Sequence, residues 1–122
     1  MKMLVGYDGS EFAKRALERA MSLAGAAGSV TVATVTASNA QASDMVAQQR
    51  LLSEAKDLAG REVKTLELSG DTAKALMKAA SDAGTDLLVV GSRGRGAAAS
   101  LLLGSVSSTL AREAPCDVVI VR

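Results

Sequence analysis

The chain has no histidine and no tryptophan, and only one cysteine, one proline, one tyrosine and one phenylalanine in 122 residues. Without histidine there is no imidazole to act as a general base near neutral pH. The lone Cys116 cannot form an internal bridge, and with no histidine to activate it, it reads as a packed thiol. Aromatic residues make up 2% beside 48% hydrophobic residues, so the core must be built from Ala, Val, Leu and Met. That favours α/β layering over an aromatic-rich β-sandwich. Fourteen basic and thirteen acidic residues leave a net charge of +1, which supplies no bulk attraction for nucleic acid or membrane. No stretch approaches the roughly 20 apolar residues of a membrane span, and the opening apolar run meets Asp8 too early for a signal-peptide core. The expectation is a soluble, cytoplasmic chain forming one domain over residues 1–122.

What is present is a strict alternation. Residues 3–7 form an apolar strand ending at Asp8-Gly9-Ser10, where Ser10 is placed to cap a helix. Phe12, Ala13, Ala16, Leu17, Ala20, Met21 and Ala24 then recur at helical spacing until Gly25 and Gly28. Residues 30–35 are a β-branched strand, residues 36–43 a small polar loop, and Met45, Gln48, Leu52, Ala55 and Ala59 the inner face of a second helix closed by Gly60. Residues 62–68 alternate as a third strand. Asp71 can cap a helix with Ala73, Leu76, Met77 and Ala80 inside, ending at Gly84, and residues 86–90 are the fourth strand. A last helix opens at Gly104 or Ser105 and runs through Glu113, Pro115 stops it, and residues 117–121 are the final strand. The order βαβαβαβαβ predicts an open five-stranded parallel sheet with helices on both faces.

Between the fourth strand and the last helix stands Gly91-Ser-Arg-Gly94, nine residues, then Gly104-Ser105. Glycines let a backbone approach an anion, and the amides and dipole of a helix N-terminus favour negative charge. Two better-known phosphate loops are excluded. Gly91 and Gly96 have the outer spacing of a P-loop, but Ala97-Ala98 stand where Lys and Ser or Thr are needed. The Rossmann order of glycines is missing as well.

With Gly91, Gly94, Gly104 and Ser105 in the pattern G-x2-G-x9-G-[ST], the chain resembles the ATP-binding subgroup of the universal stress protein family. The likeness extends to the opening strand ending in Asp8, the Gly70-Asp71 turn, the Gly104-Ser105-Val106-Ser107 helix start and the Ala114-Pro115-Cys116 stop. It implies strand order 3-2-1-4-5 and an adenine nucleotide (ATP, ADP or AMP) between the first and fourth strands. Gly6, Tyr7 and Asp8 would line the nucleoside, with Asp8 near the ribose or a phosphate-bound Mg²⁺. Val35 would offer its backbone to adenine. Val90, Gly91, Arg93 and Gly94 would form one phosphate wall, and Gly104, Ser105, Val106 and Ser107 the other. The resemblance also implies a homodimer through Val118, Val119, Ile120 and Val121, an apolar strand at a sheet edge. Residues 36–43 are short for the family, and Asp117 stands where proline is common.

Blander readings sit beside these. Asp8 is good turn and capping chemistry in its own right, and Arg95 reads as a solvated loop charge. With no P-loop lysine and no clustered carboxylate pair, the leading expectation is a regulatory nucleotide binder. A slow Mg²⁺-dependent ATPase and a nucleotide-independent interaction module are the alternatives.

Overall fold

The computed structural model describes residues 1–95 and 103–122. Gly96, Ala97 and Ala98, on which the P-loop comparison turns, lie outside the described residues. Among the described residues nine elements follow in the expected order: β1 (Lys2–Gly6), α1 (Glu11–Ala24), β2 (Ser29–Thr36), α2 (Ala42–Ala59), β3 (Lys64–Ser69), α3 (Thr72–Asp82), β4 (Leu87–Gly91), α4 (Ser105–Glu113) and β5 (Asp117–Val121). All four strand pairs are parallel, and the sheet order is β3-β2-β1-β4-β5.

Two faces of the sheet carry two separate cores. Met3, Val5, Val32 and Val89 face α1 and α2, meeting Ala16, Leu17, Ala20, Leu52 and Ala55. Leu4, Ala33, Leu88 and Val90 face the other way, meeting Ala73, Leu76 and Ala80 of α3 and Leu110 of α4. Neighbouring strand residues thus divide between faces, as a period of two requires, and both faces must be apolar because both are covered. Full burial of leucines such as Leu17, Leu76 and Leu110 contributes about 2 kcal/mol each. The final strand is shared too: Val119 and Val121 pack with the first core, Val118 and Ile120 with the second.

The boundaries differ from the sequence reading at α2. Helix begins at Ala42, inside the stretch expected to be loop, because the Asp44 carboxylate accepts the Gln41 N–H at 2.9 Å and holds the first turn. Strand β2 runs on to Thr36, whose carbonyl accepts Gly70 N–H at 2.8 Å from the turn after β3. At the opposite end, Asp86 ties β4 to β1, its N–H donating to Lys2 O at 2.8 Å and its carboxylate accepting Lys2 N–H at 2.7 Å.

Candidate functional site: the crevice where strand order reverses

From β1 the chain winds toward β2 and β3, and after β3 it crosses back to β4 and β5. The reversal lies between β1 and β4, where connections diverge to opposite faces and leave a crevice at the carboxyl ends of the strands. A cavity of about 710 Å³ occupies that position. Its lining contains all twelve residues singled out in the sequence: Gly6, Tyr7, Asp8, Val35, Val90, Gly91, Arg93, Gly94, Gly104, Ser105, Val106 and Ser107.

Asp8 follows β1 and reaches across to the loop after β4. Its Oδ1 accepts Ser10 N–H at 2.9 Å and its Oδ2 accepts Arg95 N–H at 3.2 Å. The carboxylate therefore clasps one glycine-containing turn to another, with Gly9 at φ +82° making the bend. Arg95, expected to be a solvated charge, is anchored here through its backbone. Asp8 therefore acts as a loop clasp, each of its oxygens accepting one amide. Among the described residues no cluster of three His, Cys, Asp or Glu could hold a metal ion.

The glycines act differently from expectation. None of Gly91, Gly94 and Gly104 has a positive φ, so unusual backbone conformation is not their purpose. A Cβ on Gly91 would lie 2.6 Å from Phe12 Cβ and 2.8 Å from its carbonyl carbon, so this glycine lets α1 press on β4. A Cβ on Gly94 would lie 2.8 Å from Asp8 Oδ2, so this one admits the clasp. At Gly104 the nearest atoms of the described residues would be 3.5 Å away, an ordinary contact, and φ −79° with ψ 174° suits any residue.

Helix α4 opens directly on the cavity. Its first intrahelical bond is Ser108 N–H to Gly104 O at 3.0 Å, leaving the first-turn amides of Ser105, Val106 and Ser107 without helical partners. The Gly104 amide, expected to be available to an anion, is already used, donating to Ser92 O at 2.6 Å. The same carbonyl accepts the Ser107 hydroxyl at 2.7 Å. Ser92, 1% exposed and not anticipated from the sequence, thus joins the two walls of the site. Arg93 stacks its guanidinium over Phe12, 4.4 Å from the ring centroid, while Arg15 lies 5.0 Å from the same ring.

The other end of the cavity is built by β2 and α2. Ala33 O accepts Tyr7 N–H at 2.9 Å on the β1 side, and Thr36 O accepts Gly70 N–H on the β3 side. By alternation the Val35 N–H and carbonyl turn toward β1, beyond the point where β1 has ended. Ala47, Gln48 and Leu51 of α2 close this end, with Thr34 from the sheet. Gln48 donates its amide to Thr34 O and Leu68 O, both at 3.0 Å. None of these was expected in the site, although a glutamine at an inner helical position is itself a signal that something polar must be met.

Tyr7 borders the cavity and is buried, its hydroxyl donating to Glu54. Burial, reinforced by that bond and by the Glu54 charge, holds the phenol well above its usual range, so it remains a neutral donor. Burial also pushes the half-buried Cys116 thiol up, away from a reactive thiolate.

In open parallel α/β sheets, a crevice at the topological switch point is where ligands are held, and this chain has that architecture. Residues 1–122 match the model of the universal stress protein family, and the chain belongs to that family. It is 36% identical to a Thermus aquaticus universal stress protein over 98% of this chain and 97% of that one. A solved universal stress protein in complex with cAMP is 30% identical, covers 100% of this chain and 97% of its own, and superimposes with a TM-score of 0.82. The structure of Rv1636 from Mycobacterium tuberculosis is 33% identical, with a TM-score of 0.68 over 99% of this chain and 94% of that one.

Proposed function

We propose that this protein is an adenine-nucleotide-binding member of its family, of the G-x2-G-x9-G-[ST] subgroup, which acts by holding the nucleotide. One observation carries the reading. Helix α4 begins with a glycine, has no side-chain cap, and its first-turn residues Ser105, Val106 and Ser107 line the cavity at the switch point, the end of a helix that favours an anion. Phosphates would take the amides of Ser105, Val106 and Ser107, with Arg93 beside them. The base would lie toward Val35, and the nucleoside would cross Gly6, Tyr7 and Asp8. The relative solved with cAMP supports an adenine ligand. ATP, ADP and AMP are the nucleotides proposed. A phosphate-bound Mg²⁺ would enter with the ligand. Binding without rapid turnover fits Asp8, whose oxygens are engaged by the backbone and poorly placed to activate water.

The reading includes a cytoplasmic location and a homodimer formed along β5, whose outer edge pairs with no other strand among the described residues. No described helix is long and apolar enough to cross a membrane. Tyr7 is the single tyrosine in a chain without tryptophan, so intrinsic emission reports the cavity wall directly. Titration with ATP, ADP, AMP and cAMP should give a saturable change in that emission. Mass spectrometry of denatured protein should release an adenine nucleotide. A flat titration together with no released nucleotide would overturn the reading.

A further inference from the structure

Thr34 is 2% exposed and borders the cavity, yet its Oγ1 has no hydrogen-bond partner among the described residues. A buried hydroxyl left unpaired is costly, and such groups are found where something outside the chain completes them. Thr34 would hold the fold as well as valine, since both are β-branched and suit a strand. Its neighbour Gln48 is 3% exposed and has both amide protons aimed at Thr34 O and Leu68 O. What Gln48 has left to offer is its acceptor oxygen alone.

We infer that Thr34 Oγ1 and Gln48 Oε1 read the amine-bearing edge of a purine, so that the site prefers 6-amino over 6-oxo nucleotides. The inference rests on the proposed binding of a nucleotide in this crevice and adds what selects its base. A 6-amino purine presents a donor flanked by ring-nitrogen acceptors, which an amide oxygen and a hydroxyl proton complement. A 6-oxo purine presents an acceptor beside an N–H, which faces the amide oxygen with another oxygen. Val35 supplies backbone hydrogen bonds at the same end of the cavity. The two side chains add discrimination of the kind that follows when buried polar groups must be matched by the ligand.

The experiment is calorimetric titration of the full chain with ATP and with inosine triphosphate, its 6-oxo counterpart, for wild type, Thr34→Val and Thr34→Ser. Wild type should favour ATP by about tenfold or more. Thr34→Val should lose about tenfold in ATP affinity and little for inosine triphosphate, while Thr34→Ser keeps the preference. Without ligand, Thr34→Val should melt no lower than wild type, because an unpaired hydroxyl has been removed. Equal wild-type affinity for the two nucleotides overturns the base-reading role alone, as does an unchanged or parallel loss in Thr34→Val. No affinity of wild type for either nucleotide overturns the functional reading, and the base reading with it.

Discussion

Helices α1, α3 and α4 all start at the carboxyl end of the sheet, yet their first turns are finished differently. Ser10 Oγ accepts Ala13 N–H at 3.1 Å at the start of α1, and the Asp71 carboxylate accepts Lys74 N–H at 3.1 Å at the start of α3. Helix α4 starts at Gly104, which has no side chain with which to do the same. A cap is worth about 1 kcal/mol, so α4 forgoes stability that its neighbours take. Among the described residues space is not the reason, because a Cβ at residue 104 would meet none of their atoms closer than 3.5 Å. All three starts have a residue in the cavity lining, Ala13 in α1 and Thr72 in α3, but only the uncapped end contributes three, Ser105, Val106 and Ser107, together with Gly104 and nearby Arg93. An anion bound there would do for α4 what Ser10 and Asp71 do for α1 and α3.

The largest effect separates a glycine needed for packing from one left for a ligand. Gly91→Ala places a methyl 2.6 Å from Phe12 Cβ and against the backbone of α1, which cannot yield as a flexible side chain would. Overpacking of this kind should cost about 3 kcal/mol of folding free energy by denaturant titration. Gly104→Ala, tested alongside, should change it by well under 1 kcal/mol. Equal losses in the two variants would erase the distinction between the glycines.

The next effect reverses sign between stability and binding. Gly104→Asp gives α4 the cap that α3 has, and should raise folding stability by about 1 kcal/mol. It also sets a carboxylate where the phosphates are proposed to lie, so ATP affinity should fall about a hundredfold. Stabilisation with affinity intact would move the phosphates elsewhere, and the proposal for α4 would fail.

Much of this fold could be read from the chain because its local patterns agree with one another. Helical spacing in 12–24, β-branched residues in 30–35, and turns at Asp8-Gly9-Ser10 and Ser69-Gly70-Asp71 each specify the element found. The twelve candidate residues converge on one cavity because they occupy the carboxyl ends of strands, or the turns just after them, around one reversal of strand order. What could not be read depends on contacts distant in sequence. Gly91 looks like part of an anion loop, and only the position of Phe12 shows it to be a packing glycine. The Gly104 amide looks available until Ser92 is found beneath it. Thr34 and Gln48 are 14 residues apart, and no local pattern announces that α2 lays one over the carbonyl of the other. The early start of α2 turned on a single carboxylate, Asp44, within a run of small polar residues that otherwise suits a loop.

The smallest effects test the capped side of the comparison. Asp71→Ala removes the hydrogen bond to Lys74 N–H and should cost about 1 kcal/mol, with nucleotide affinity unchanged because Asp71 is exposed and outside the cavity lining. Asp71→Asn keeps an acceptor for that amide and removes only the charge, so the difference between Asp and Asn isolates the interaction with the helix dipole. At this exposed position it should be about 0.3–0.5 kcal/mol at low salt and shrink toward zero in 1 M salt, where the screening length is about 3 Å. At α4 the corresponding charge would arrive with the ligand, so nucleotide affinity should weaken over the same salt range. If Asp71→Asn costs as much as Asp71→Ala, charge rather than hydrogen bonding finishes α3. The open end of α4 would then be expected to select its ligand mainly by charge.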